Sequence, residues 1–405
     1  MNVIFLAPGY PPEMQQFTRG LAEVGARVFG VGDSHPGSFT AAMKQHLSDY
    51  LQVRSMLDEE DVFQRVLASV RGKRIDRIEA NWEPVTVLAA RLREALGLPG
   101  MSVDTVLGFR DKPLMRERVA AAGLRIPITE RITSRAEAHA AVQKTGFPAI
   151  LKPVAGAGSA DTFRVDSLDD LDDALARMGH HAEASCEEFI TGEEYTYETI
   201  TIDGVPVIES VCKYFPNALD ARKNEWISPI ILSIRDLNTP ETQGGIALGR
   251  QVLKALNMGT GFTHMEWYRP HNGEAMFGEI ACRAPGANMV DLMNYTGDID
   301  LYREWARAVC WHSFEASTER KFNAAIVFKR ALGQGRIQRI AGLDGFRQRF
   351  GPWIAREDLL PIGTARRDWN QTFLSDGNLV VRHPDRATAE HMAFAAATDI
   401  QVYAG

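Results

Sequence analysis

Apolar residues recur along this chain at two spacings, and the switches between them mark its elements. The first run, Val3–Ala7, has the composition of a buried strand, and apolar positions then fall at helical spacing from Pro11 to Val24. The alternation continues with strands at Arg27–Val31 and Ile75–Ala80 and helices at Val62–Val70 and Val85–Leu96. Strands alternating with helices predict a parallel, doubly wound α/β sheet for residues 1–105. The loop after its first strand, Pro8–Glu13, and Glu83 after its third are candidate substrate contacts, with plain turns as the alternative. No GxGxxG follows the first strand, so a dinucleotide site is not indicated.

Leu96-Gly97-Leu98-Pro99-Gly100 ends this unit with a helix stop followed by Gly and Pro. Asp111 is placed to cap a helix that runs to Gly123, and Ser134 with Glu137 forms a capping box for a helix reaching Thr145. The strand AILKPV then carries Lys152 into the small-residue stretch Ala155–Ser159, and a strand at Thr162–Val165 follows. Such a loop can wrap a phosphate chain with its backbone N–H groups, although a loose hairpin with a chance lysine fits the same residues. It is not a Walker A loop, because no GKS/T ends it and no helix follows.

A helix at Asp169–Met178 precedes the string EEFITGEEY (Glu187–Tyr195), whose spacing alone points to no mechanism. Tyr195–Ile202 and Val205–Val211 flank Asp203-Gly204 and predict a hairpin. Residues 213–240 read as irregular, and a helix from Thr242 to Leu256 is expected to be capped by Asn257-Met258-Gly259.

The most informative stretch runs from Gly259 to Asn288. Glu266 and Glu279 each sit in a short apolar segment on either side of a turn rich in chain reversers, which predicts a second hairpin. On one face of that hairpin the two carboxylates would repel unless a cation or a proton lay between them. Arg283 follows four residues later and can reach the same cleft. Taken alone, the stretch fits two unrelated surface glutamates equally well. Helices at Val290–Tyr295 and Ile299–Val309 close the central region. From Phe322 the chain looks β-rich, like a small appendage, with a final helix at Arg386–Ala397 and a strand at Ile400–Tyr403.

Composition narrows the function classes. A length of 405 residues suggests two or three domains. A net charge of −7 and the lack of any Lys/Arg run argue against a nucleic-acid partner. The four cysteines are widely spaced with no CxxC, which reads as free thiols in a reducing compartment. The N-terminus lacks the features of a signal peptide, and no apolar stretch is long enough for a membrane span. A cytoplasmic protein is expected.

In this order and with these gaps, the segments around Lys112, Lys152-Pro153-Val154-Ala155-Gly156-Ala157-Gly158-Ser159, EEFITGEEY, Glu266 and Glu279 resemble the ATP-grasp superfamily, across roughly residues 100–310. The resemblance is to its carboxylate–amine branch, the amino-acid ligases. It implies an α/β (α+β) fold with a Rossmann-like N-terminal domain (1–105), an ATP-grasp domain (106–312, with a lid at about 115–187) and a β-rich C-terminal subdomain (313–405).

By this resemblance, Lys112 and Lys152 contact the phosphates of ATP, and Gly156, Gly158 and Ser159 belong to the lid loop. Glu187, Glu188, Phe189 and Ile190 form the adenine hinge, and Glu194 binds the ribose hydroxyls. Glu266 and Glu279 hold Mg²⁺ (or Mn²⁺). His264 faces the transferred phosphate, and Arg283 meets the acyl-phosphate or the substrate carboxylate. The pattern departs from the family at Ala281, where an Asn ligand to a second metal is usual. The implied reaction joins a small-molecule carboxylate to an amine by way of an acylphosphate, in a protein expected to be a homodimer. Two rivals remain open at this point: another acceptor, as in purine-pathway or carboxylase-like relatives, and an ATP-binding protein that no longer catalyses.

Overall fold

Strands and helices alternate through the first hundred residues of the computed structural model, which describes residues 1–405 except 154–161, 180–182, 272, 370–371 and 373–374. Strands β1 (Asn2–Leu6), β2 (Arg27–Gly32), β3 (Leu47–Gln52) and β4 (Arg77–Glu79) form a parallel sheet in the order β3-β2-β1-β4. The expected pattern is present, with one addition. The edge strand β3 has the sequence LSDYLQ and is partly exposed along its whole length, so it carries no apolar run to give it away.

A second sheet is built from β5 (Thr129–Ile132), β6 (Ala149–Pro153), β7 (Phe163–Val165) and β8 (Ala184–Glu188), ordered β5-β8-β6-β7. Asp111 caps the helix Lys112–Ala121 by accepting from Leu114 N–H, as its position predicts. The capping box at Ser134 closes one residue early. Ser134 accepts from Glu137 N–H, but the Glu137 carboxylate accepts from Thr133 N–H at 2.7 Å.

The remaining strands are β9 (Gly192–Ile202), β10 (Val205–Phe215), β11 (Ile230–Ser233), β12 (Gly261–Pro270), β13 (Met276–Ala281), β14 (Asn323–Phe328), β15 (Ile337–Ala341), β16 (Ile354–Leu359), β17 (Gly377–His383) and β18 (Gln401–Ala404). Eight of them build one sheet ordered β13-β12-β9-β10-β11-β14-β17-β16. The predicted hairpin turn at Asp203-Gly204 has positive φ at both residues, 50° and 80°, as a two-residue turn requires.

Two expectations need correction. Residues 213–240 are not irregular: β10 runs on to Phe215, a short helix spans Ala218–Lys223, and the fully buried β11 follows. The chain after Phe322 is no appendage, since β14, β17 and β16 extend the central sheet. The segment expected to cap the helix Gln243–Ala255 does so, with Asn257 left-handed at φ 55° and Met258 N–H donating to Leu253 O at 2.9 Å.

The N-terminal sheet is seated on the central one through the helices Met14–Glu23 and Leu301–Trp311. Phe17 lies edge-on to Phe262, Tyr302 and Trp305 at centroid distances of 6.0, 4.8 and 5.1 Å. Arg19 grips Asp300 with two hydrogen bonds of 2.8 and 3.1 Å beside this cluster. That seating brings residues of the first domain to the edge of the carboxylate hairpin.

Candidate active site

β12 lies between β13 and β9, and the register of its neighbours organises the site. Glu266 pairs directly with Glu279 on β13 and with Thr196 on β9. One step of two residues along, His264 pairs with Ala281 and with Glu198. Because side chains alternate along a strand, these residues share one face of the sheet. The opposite face carries Tyr195, Tyr197, Met265 and Trp267, which pack with Ile246, Val252 and Leu253 of the helix Gln243–Ala255. The two glutamates therefore face each other, as the hairpin pattern predicts.

Positive charge surrounds the pair. Lys112, at the start of its helix, reaches Glu279 at 2.6 Å. His264 Nε2 lies 3.8 Å from Glu266 Oε1, and its Nδ1 lies 3.1 Å from Glu198 Oε1. Burial works against a charged His264 ring, but Glu198 and Glu266 outweigh it and raise its pKa to about 9. Burial also works against a charged Glu266, and there the His264 ring, Lys112 and Arg283 bring the net shift below the usual carboxylate range. Glu194, on the same face of β9, behaves oppositely. Burial and the nearby Glu266 push its carboxyl up to about 8, against a 2.6 Å hydrogen bond from Ala218 N–H.

The sheet β5-β8-β6-β7 contributes Lys152 from β6, and there the carboxylates of the expected hinge meet cations. The Glu187 carboxylate is buried, and it holds Lys152 at 2.8 Å through one oxygen and Arg116 at 2.9 Å through the other. Ser185 Oγ–H donates to it as well, at 2.9 Å. Burial alone would raise the Glu187 pKa, and the two cations turn the net shift downward. Glu188 accepts two 2.7 Å hydrogen bonds from Arg125 and a third from Ile128 N–H. The Phe189 ring lies 4.5 Å from the Arg164 guanidinium, and Ile190 is half-buried in the link between β8 and β9. Gly156, Gly158 and Ser159 lie outside the described residues.

Arg283 reaches across to the first domain, where its Nε and Nη2 each lie 3.1 Å from Glu83 Oε2. Arg110 meets the other Glu83 oxygen at 3.2 Å. Sequence reasoning singled out Glu83 without its partners and missed Arg116 and Glu198 altogether. For Glu198 a signal existed: a charged residue in the middle of a strand otherwise made of aromatic and β-branched residues from Tyr195 to Ile202.

Glu266 and Glu279 suit a hard divalent cation, which takes oxygen ligands and commonly binds through one or two carboxylates plus phosphate and water. Two opposed anions on adjacent strands call for such charge, and a lysine ammonium already leans on one of them. Among the described residues no further Asp, Glu, His or Cys completes a protein-only metal cage. The Ala281 side chain carries no donor, so the residue set fits one ion well and offers nothing there for a second.

The fold is the ATP-grasp fold of carboxylate–amine ligases. It superimposes over its full length on the L-amino acid ligase from Bacillus licheniformis, with a TM-score of 0.79, 18% identity and 98% of that chain covered. It also matches N5-carboxyaminoimidazole ribonucleotide synthetase from Thermotoga maritima at a TM-score of 0.74, with 17% identity and coverage of 100% of this chain and 99% of that one. In sequence, it is 25% identical over 270 residues to an L-arginine-specific L-amino acid ligase of Bacillus subtilis, covering 65% of this chain and 64% of the relative. Alanine–anticapsin ligase of Bacillus subtilis (strain 168) is 25% identical over 281 residues, covering 62% of this chain and 58% of the relative. The chain thus spans a little under two thirds of the length of the curated relatives it matches. No family model matches the chain. The resemblance read from the sequence holds: the chain is similar to the amino-acid ligase branch of the ATP-grasp superfamily.

Proposed function

We propose that this protein is an ATP-dependent carboxylate–amine ligase that forms an amide, with an amino acid as the acyl donor. The observation that carries the reading is the direct pairing of Glu266 with Glu279 on a sheet face bordered by Lys112, His264 and Arg283. A carboxylate oxygen of the donor attacks the γ-phosphorus of ATP, the bond to the bridging oxygen breaks, and ADP leaves with the electron pair. The amine then attacks the acyl carbon, phosphate departs, and the amine loses a proton to give the amide. Phosphoryl transfer needs positioning and charge neutralisation more than covalent help, and this face supplies both.

In this reading, Lys112 and Lys152 bring point charges to the phosphates, and Arg283 offers a planar fork suited to a carboxylate or acyl-phosphate. Glu187 steadies Lys152 from behind, besides any contact with adenine. Glu194, on the same face of β9 as Thr196 and Glu198, would accept hydrogen bonds from the ribose hydroxyls. Glu266 and Glu279 would hold Mg²⁺ (or Mn²⁺), which when bound neutralises phosphate charge. The relatives, an L-arginine-specific L-amino acid ligase and an alanine–anticapsin ligase, support a small-molecule amino acid here. No helix among the described residues is long and apolar enough to cross a membrane. Cytoplasmic residence, a homodimer and the three-domain boundaries stated above are part of the same proposal.

A second reading has one residue in its favour. Ala281 leaves the face without the amide oxygen usual in the family, as expected of a nucleotide-binding protein that has lost catalysis. Turnover by the wild-type chain separates the two, and Glu279→Gln tests the metal assignment within the ligase reading. The ligase reading expects turnover to fall by at least about 100-fold with the fold intact, as when a charge-stabilising group is lost. Near wild-type turnover in that variant would remove the metal assignment.

A further inference from the structure

Beneath the His264 ring lies a carboxylate that the proposed reaction does not use. Glu198 is fully buried on β9, in register with His264 on β12. Its Oε1 lies 3.1 Å from His264 Nδ1. Its Oε2 has no hydrogen-bond partner among the described residues. A buried carboxylate with one bare oxygen is costly, and an apolar side chain at this point in the sheet would avoid the cost.

What the carboxylate does is hold a ring. A ring held at Nδ1 keeps one orientation, which leaves its Nε2–H to act on the open side. Here Nε2 is turned toward Glu266, 3.8 Å away. On the other side of β12, Ala281 presents a methyl group and cannot share the task.

We propose that Glu198 is a positioning residue that fixes the His264 imidazole so that Nε2 faces the Glu266–Glu279 cleft. Its effect on turnover rests on the ligase reading, whereas its effect on the ring does not. The test uses the full-length chain. Glu198→Met is close in size and removes the carboxylate, and because it leaves the buried His264 ring without its partner its melting temperature should fall. The ¹⁵N signals of the His264 ring should shift in this variant without any substrate present.

ATP-dependent phosphate release should fall by at least about 10-fold, as for other residues that orient a reactive ligand, with the KM for ATP within about twofold. Glu198→Gln retains an acceptor for Nδ1–H and should recover most of the loss. Glu198→Met placed on His264→Ala should add nothing further, because Glu198 acts only through that ring. Unchanged ring signals in Glu198→Met, full turnover, or losses that multiply in the double variant would each overturn the proposal. Should Glu198→Met fold poorly, Glu198→Gln decides: a kept Nδ1–H signal with turnover supports the role, and lost turnover with an unchanged ring refutes it. A wild-type protein that releases no phosphate with any substrate pair would sink the ligase reading, and the ring signals would still decide the role of Glu198.

Discussion

Two adjacent glycines in the helix Gln243–Ala255 should respond in opposite directions to the same substitution. At Gly245 a Cβ would come within 2.1 Å of Trp267 Cζ2 and 2.2 Å of Cε2. Carbon atoms sit comfortably at about 3.5 Å, so the indole would have to retreat by about 1.4 Å. It has little room to do so, being fully buried and stacked on Tyr195 at a centroid distance of 4.7 Å. At Gly244 the same Cβ would meet the Ala275 Cβ at 3.5 Å, an ordinary contact.

Replacing a helical glycine by alanine stabilises by about 0.5–1 kcal/mol, and at Gly244 that gain stands alone. At Gly245 the overpacking of a rigid ring costs about 3 kcal/mol, the upper end of its usual range, for a net loss of about 2 kcal/mol. Urea unfolding midpoints of Gly244→Ala and Gly245→Ala measure the difference. Trp267 follows Glu266 on β12, so Gly245→Ala should also lower nucleotide turnover through the displaced strand. Equal stability of the two variants would show that the helix does not rest on Trp267 as described.

Glu187→Leu strips Lys152 and Arg116 of their shared carboxylate, and loss of one partner from a buried ion pair should destabilise by about 3 kcal/mol. Faster hydrogen exchange in β6 and β8 and weaker ATP binding by calorimetry are expected, and unchanged values for both would refute the pairing. Glu241 accepts from Arg386 and Tyr195, and these contacts outweigh burial to bring its pKa down to about 2. Its folded pKa lies below the unfolded value of 4.5, so its contribution is complete above pH 4.5 and is lost as pH falls toward 2. The stability gap between wild type and Glu241→Gln should therefore shrink on acidification through that window, and a gap independent of pH would contradict the assignment. Glu83→Gln should weaken the hold on Arg283 and Arg110, and lower the salt dependence of substrate KM. An unchanged salt profile would argue that Glu83 serves neither arginine.

Much of the fold was legible because its signals are local. Asp203-Gly204 demands positive φ at two successive residues, and Asp111 announces a helix start, so both could be read without knowing their surroundings. The Glu266–Glu279 pairing was legible for a similar reason, since a short hairpin fixes its own register. Long-range pairing left no such trace. β11 is the short run Ile230–Ser233 just after Pro229, and its neighbour β14 lies far from it in sequence. The joining of β14 to β11 therefore emerged from the fold alone, and with it the continuity of the C-terminal strands with the central sheet. Partners supplied by another element were equally hidden: Glu83 for Arg283, Arg116 for Glu187 and Glu198 for His264.

The central claim is that the paired carboxylates serve an amide-forming phosphoryl transfer. Its most direct test incubates the protein with ATP, Mg²⁺ and amino acids, singly and in pairs, and measures phosphate release together with product mass. The account predicts release that requires a carboxylate donor and an amine acceptor together, one phosphate for each amide formed. Silence across every pair, from a protein that still binds ATP, would contradict it.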